Sequence, residues 1–391
     1  MSLLLGPSSG PAPLVAPASS PQPWGYFVNS TIYQPTGNEG LFYPRFTELE
    51  DGTILATTSL SGPVPDYFSV FESTDGGASW TYISNLTDQV NGLGFTAQPA
   101  LHELTFDLGA YKKGTILGGG NSWGNTSTNI DLYASIDRGR TWEFVSHVAN
   151  GGPPNTTNGA TPVVNAAVRR EPRYTNSNAY PFDGEVIAYY SDQRDPLHGR
   201  KLAHQILKDL INWSSTVNDV AYDNYLARPG MTIFGYIPPI DKWILVHEIH
   251  QRRPIPRLLQ TCHRPARLRQ QPGCPLLVNG TIAPSSSPYV VWTPEPKGSK
   301  YGIIVVSDND HRSVFTNQAG GTEDAWEEHG TPAAAVYSRA IEIFKKRPDH
   351  LLIYGGDMFN GLMEGDQLPF SATVLDINWV LEKAPEDYSV S

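Results

Sequence analysis

Carboxylates and arginines in this sequence recur where short apolar runs start or stop. Glu248 ends the run Trp243-Ile244-Leu245-Val246-His247, and Asp192, Arg194, Asp195, Asp308 and Asp357 stand at the ends of comparable runs, with Trp123 at another. Arg45, Arg228, Tyr337 and Arg339 stand at the beginnings of such runs, and Asp66 lies in the loop after the first hairpin. Carboxylates set among arginines, tryptophans and tyrosines suit the cleavage of a sugar. One acid protonates the departing oxygen while another carboxylate stabilises or attacks the anomeric carbon. Apolar sugar faces stack on aromatic rings, and Arg and Asp bond the hydroxyls. His247 reads as a packed or solvated histidine rather than a base. No His/Asp/Glu cluster has ligand spacing, so no metal or organic cofactor is expected.

Such residues need a scaffold that gathers strand ends, and the sequence repeats one. A turn followed by an apolar strand recurs six times, at Asp51–Ala56, Lys113–Gly118, Asp183–Ala188, Asp241–Val246, Tyr301–Val306 and Asp349–Tyr354. Asp-Gly or a related pair before a β-branched run is a hairpin signal. Five copies follow a strand that opens with an X-Pro step: Tyr43-Pro44, Gln98-Pro99, Thr161-Pro162, Arg228-Pro229 and Ser287-Pro288. The sixth follows a strand opening at Tyr337. Two copies lead into one turn pattern, Ser73-Thr74-Asp75-Gly76-Gly77-Ala78-Ser79-Trp80 and Ser135-Ile136-Asp137-Arg138-Gly139-Arg140-Thr141-Trp142, with weaker versions at Asp209–Trp213, Gly320–Trp326 and Asp376–Trp379. Its Asp bonds turn amides, its Gly takes positive φ, and its Trp packs between sheets. Six copies of a multi-stranded antiparallel unit predict an all-β fold, a six-bladed β-propeller over residues 24–391, with Trp24–Tyr33 closing the ring on the last blade. First strands begin, and second strands end, at the axial pit of such a ring, so the residues above converge there.

Composition agrees. The 36 glycines and 33 prolines, with 11% aromatic and only 17% charged residues, favour strands and turns over helices. A net charge of −11 argues against nucleic-acid binding, which needs a basic face. No apolar run reaches the ~18 residues of a membrane span. The expected partner is a neutral polysaccharide, with no nucleic acid, no membrane and a monomeric state. Residues 1–23, rich in Pro, Ser, Ala and Gly, read as a disordered leader without a signal peptide. Sequons at Asn29, Asn85, Asn125, Asn155, Asn212 and Asn279 nonetheless favour a secreted chain. Cys262 and Cys274 cannot make a disulfide framework or a four-ligand zinc site, and pairing and free thiols both stay open.

The shared turn, Ser-x-Asp-x-Gly-x-x-Trp, resembles the Asp-box of sialidases and other bacterial-neuraminidase-repeat proteins. Longer stretches resemble glycoside hydrolase family 93: YPRFTELEDGTILAT (residues 43–57), YYSDQRDPLHGRKLAHQ (189–205), NDVAYDNYLARPGM (218–231) and VNGTIAPSSSPYVVWTP (278–294). The resemblance implies a sialidase-like six-bladed propeller acting as a retaining exo-α-1,5-L-arabinanase, which releases arabinobiose from the ends of linear arabinan. It implies Glu248 as nucleophile, with Arg45, Asp66, Trp123, Arg194, Asp195, Arg228, Tyr337 and Arg339 expected to bind substrate.

The pattern breaks twice. The family's other catalytic glutamate lies in a Trp-Glu-Pro motif opening the third innermost strand, where this sequence reads Val164-Asn165-Ala166-Ala167-Val168-Arg169-Arg170-Glu171-Pro172. Ungapped, Asn165 takes the glutamate position; with a six-residue insertion, Glu171 does, and Glu171 is the candidate acid/base. The irregular segment spans 164–180. The second break, 250–275, holds six arginines and no carboxylate where the fourth repeat needs its third strand. Arg-, Pro- and Gln-rich output with lost periodicity is what an out-of-frame or mis-spliced stretch produces. Two competing readings follow. One is a sialidase, whose substrate carboxylate three arginines would clamp. The other is a catalytically inactive glycan-binding propeller.

Overall fold

The computed structural model describes residues 26–36, 39–62, 65–153, 163–169, 186–207, 209–250, 258–262, 274–282, 284, 287–309, 312–334, 336–356 and 368–385. The expected leader, Glu171, Asp357 and most of both irregular segments lie outside the described residues.

After β1 (Phe27–Tyr33), the chain runs through five meanders of four consecutive antiparallel strands. The first is β2 (Gly40–Glu48), β3 (Ile54–Ser61), β4 (Tyr67–Ser73) and β5 (Thr81–Leu86). The second is β6 (Phe95–Glu103), β7 (Ile116–Trp123), β8 (Thr128–Ser135) and β9 (Glu143–Gly151). The third is β10 (Val163–Arg169), β11 (Val186–Asp192), β12 (Lys201–Leu207) and β13 (Val217–Val220). The fourth is β14 (Arg228–Ile237), β15 (Lys242–His250), β16 (Leu258–Cys262) and β17 (Cys274–Pro275). A two-stranded hairpin, β18 (Leu277–Val278) and β19 (Thr281–Ile282), precedes the fifth: β20 (Tyr289–Thr293), β21 (Ile303–Ser307), β22 (Ser313–Asn317) and β23 (Trp326–Gly330). The remaining four-stranded sheet is composite. It orders β24 (Ile341–Phe344), β25 (Arg347–Gly355) and β26 (Phe370–Asp376) from one edge and takes β1 as the other edge strand.

First strands of successive sheets touch, β2 with β6, β6 with β10, β10 with β14, β14 with β20 and β20 with β24. The molecule is therefore a β-propeller with the first strand of each sheet innermost. Five blades are continuous repeats, one fewer than the six expected from the sequence, because the last sheet draws on strands far apart in the chain. The expected closing strand is present: β1 pairs antiparallel with β26, Ser30 opposite Ala372. The basic stretch 250–275 supplies β16 and β17, so the fourth blade has its third and fourth strands. Cys274 there is a free thiol.

The second strands carry apolar runs because neighbouring blades cover both their faces. Every residue of β11 and β21 is buried, and each buried Ile, Leu or Val side chain contributes about 2 kcal/mol. In β7 the covering is close enough to demand glycine. A Cβ on Gly118 would lie 2.6 Å from the Trp142 ring, and one on Gly120 would lie 2.5 Å from Phe68.

The shared turns join third to fourth strands, on the side of each blade away from the axis. Ser135 Oγ donates to Asp137 Oδ1 (2.7 Å), while the Thr141 amide (2.8 Å) and hydroxyl (2.7 Å) donate to the same carboxylate. Trp142 Nε1 then reaches Ser84 Oγ of the preceding blade (3.1 Å). Asp75 is bonded likewise by Ser73 and Ser79. Trp213 of a weaker copy reaches back to Ser146 (3.0 Å). The Trp142 and Trp213 bonds thereby pin their blades to the preceding ones, whereas Trp80 Nε1 donates to Gly77 within its own turn.

Candidate active site

The innermost strands share one irregularity at their pit ends. The ladder of β2 skips between Phe42 and Arg45, that of β6 between Ala97 and Ala100, that of β14 between Gly230 and Ile233. The first residue in each bulge has a left-handed backbone: Tyr43 (φ 56°), Gln98 (φ 58°) and Met231 (φ 49°). Ser287 (φ 49°) and Ser338 (φ 60°) take that conformation just before β20 and β24. For residues with a Cβ this region is sparsely populated, and surrounding contacts must hold it.

Those contacts run around the axis. The Tyr43 and Tyr337 rings meet edge-on at 5.2 Å. Gln98 Nε2 donates to Met231 Sδ (3.2 Å). Arg45 donates to the Ser338 carbonyl (3.1 Å), the Ser338 hydroxyl (2.9 Å) and Gln98 Oε1 (3.2 Å), and lies 5.3 Å over the Tyr289 ring. Five left-handed residues thus form a ring at the pit. In β10 the same skip falls between Val164 and Ala167, so register puts Asn165 at the corresponding position.

Glu248 stands opposite Gly230 near the end of β15, and its Oε2 accepts the Ser287 amide at 2.8 Å. The left-handed turn at Ser287 aims that amide. Burial first, and then the Glu248 carboxylate, hold the Tyr337 phenol above its usual range. Burial does the same to Tyr43, with Tyr337 and Glu248 adding to it. A carboxylate anchored by a main-chain N–H beside two protonated tyrosines is positioned to attack or stabilise a cationic sugar carbon.

The other expected residues divide. Trp123 ends β7 against the cluster of Tyr43, Ala97 and Met231, with its Nε1 buried and unpartnered. Arg228 opens β14 and donates to Gln193 Oε1 (2.6 Å). Asp66 is half-buried in the loop between β3 and β4; burial raises its carboxyl, and its carbonyl accepts the Phe95 amide (2.8 Å). Arg45 is buried and its fork is taken up by the ring. Arg194 is clasped by both oxygens of Asp192, Nε at 2.9 Å and Nη2 at 2.7 Å, bonds that hold its guanidinium above the ordinary value. Asp195 accepts Lys201 Nζ (2.8 Å), which holds its carboxyl low. Arg339, expected to bind substrate, has no exposed surface and donates to the Ser313 carbonyl. Burial pushes it down to about 10 against the attraction of Asp308. That enclosure leaves it no face for a sugar. His247 is fully buried, its Nε2 3.3 Å from the Tyr222 hydroxyl, and burial pushes it down to about 3, so it is a neutral core residue.

Strand-end reasoning missed Arg200. It lies in the loop between β11 and β12, inside the stretch YYSDQRDPLHGRKLAHQ, and shares the pit with Arg228, Glu248, Tyr337 and Tyr43. Its signal in the sequence is that loop, which runs directly into β12. Among the described residues no group of three or more His, Cys, Asp or Glu has the geometry of a metal site, and no helix is long and apolar enough to cross a membrane.

The same propeller fold occurs in sialidases. NanB sialidase from Streptococcus pneumoniae shares the fold at TM-score 0.56 and 11% identity, over 93% of this chain and 72% of that one. Neither a protein-family model nor a curated protein sequence matches the chain, but solved structures do. A GH93 α-L-arabinofuranosidase of Fusarium graminearum, solved with arabinobiose, is 36% identical over 91% of this chain and 99% of its own, at TM-score 0.82. An α-L-arabinanase of Penicillium chrysogenum, also solved with arabinobiose, is 34% identical over the same shares, at TM-score 0.81. The chain belongs to glycoside hydrolase family 93.

Proposed function

We propose that this protein is a secreted glycoside hydrolase that cleaves linear α-1,5-L-arabinan from its ends, releasing arabinobiose with retention. The composite sheet serves as the sixth blade. The observation that carries the reading is Glu248, fixed by the Ser287 amide in a pit walled by Tyr43, Tyr337 and Trp123. Glu248 acts as nucleophile and Tyr337 steadies it. Trp123 stacks on a sugar, Arg228 and Asp66 bond hydroxyls, and Arg45 positions the ring. Arg194, Asp195 and Arg339, bonded as they are, act chiefly by shaping the site. Glu171 is the acid/base candidate.

A second reading rests on the register of β10. Retaining hydrolysis needs two carboxyl groups about 5–5.5 Å apart. With Asn165 at the blade-three ring position, the protein would bind arabinan and cleave it poorly. Incubation with debranched arabinan, followed by chromatography of products, tests both readings. Arabinobiose release by the wild type, reduced about 10³-fold or more in Glu248→Gln, supports the first. A comparable loss in Glu171→Gln would assign the acid. Arabinan binding without release, gained on Asn165→Glu, supports the second. Cleavage of a fluorogenic sialoside instead would overturn both.

A further inference from the structure

Arg200 is the one cation of the described pit with no hydrogen bond and no ion pair among the described residues; its Nε is buried and unpartnered. A guanidinium carries five N–H donors and no acceptor, and buried donors are nearly always satisfied. The chain brings it there deliberately. A Cβ on Gly199 would run into the Tyr225 carbonyl and lie 3.3 Å from Arg228 Cγ, so only glycine lets this loop press against the start of β14. Arg194 and Arg45 show the contrast, since each donates to several protein acceptors.

We infer that Arg200 is a substrate-binding residue, whose open donors take hydroxyl oxygens of the sugar unit bound beside Glu248. The assignment rests on the glycosidase reading of the pit. It fits the surrounding charge. Arg228 repels Arg200 while Glu248 attracts it, and burial, the largest influence, brings its guanidinium to about 10, leaving it charged at neutral pH. A neutral, oxygen-rich furanose supplies acceptors to that cation without neutralising Glu248. Arg339 also has unpartnered Nε and Nη1 atoms, but it has no exposed surface and its Nη2 donates to the Ser313 carbonyl, whereas Arg200 is partly exposed and makes no such bond among the described residues.

The test is calorimetric titration of arabinobiose into the wild type, Arg200→Met and Gly199→Ala, with melting temperatures measured on each without sugar. Arg200→Met keeps the length and apolar stem of the side chain. Expected are a loss of affinity of about tenfold or more and a melting temperature unchanged or raised, since a buried donor without a partner is removed. Gly199→Ala, which displaces the loop, weakens binding in the same direction. Wild-type affinity in Arg200→Met overturns the inference, and so does a fall of several degrees in its melting temperature, which would make Arg200 scaffold. A parallel titration with an unsaturated sialic-acid analogue separates the inference from the function it rests on. If the wild type binds only that carboxylate sugar and Arg200→Met loses it, the arabinan reading falls and Arg200 stands. If the wild type binds neither, both fall.

Discussion

Tyr43, Gln98, Met231, Ser287 and Ser338 hold a backbone conformation that costs each of them on the order of 1 kcal/mol, and all five stand at the pit. The strain turns each chain sharply as it enters its strand, so neighbouring groups converge; the Ser287 amide on Glu248 is the clearest result. Glu248 stood out in sequence because it ends an apolar run, and Tyr337 because it was expected to open the last innermost strand; the structure brings both to the pit, although β24 begins after Tyr337. The left-handed turns did not stand out, since an X-Pro step signals a break without specifying its hand. Arg339 was misplaced for a related reason: position just before a strand says nothing about which sheet a long side chain enters. His247 gives a pH test at this scale. Its folded value, about 3, lies below the unfolded value of about 6.5. Its contribution to stability is therefore complete above pH ~6.5 and declines as the pH falls toward 3. Histidine-selective NMR should show no His247 titration between pH ~5 and ~8; a midpoint near 6.5 would mean that solvent reaches the ring.

Among the elements, second strands announce themselves because burial on both faces concentrates apolar residues into a continuous run in each of them. First strands are harder to read. The last one was expected from Tyr337, yet β24 starts at Ile341, after a turn that ends where the Ala340 carbonyl accepts the Tyr354 amide. The strands β16 and β17 were hidden by the arginine-rich composition around them. The shared turn carries a prediction of its own. Asp137→Ala removes the acceptor for Ser135, Arg140 and Thr141 and should cost about 1–2 kcal/mol, read as a lower melting temperature. Burial raises the Asp137 carboxyl, but these bonds prevail and hold it at about 2, below its unfolded value. The difference between wild type and variant is thus full above pH ~4 and vanishes as the pH falls through about 2.

For the whole molecule, the decisive contacts join strands distant in sequence. Glu48 accepts the Lys345 amide (2.6 Å), and the Asn29 amide reaches Thr373 Oγ1 (2.9 Å) across 344 positions. Removing residues 26–33 would expose the β26 edge and the apolar side chains of Phe370, Ala372 and Val374 on its sheet. The expected outcome is a protein that melts many degrees lower and associates through that edge, read by calorimetry and light scattering; unchanged melting would mean that β1 is dispensable.

The pairing of β1 with β26 also sets an order of events at the ribosome. The first described strand must wait, without its partner, until more than three hundred further residues have been made. The continuous blades can form as they emerge, whereas the site that spans them stays unfinished until the two distant segments meet. Contacts of such long range form slowly, so refolding should show early gain of sheet structure and a later, separate recovery of the proposed arabinobiose binding. In the cell, that interval would keep the pit from assembling before synthesis is nearly done.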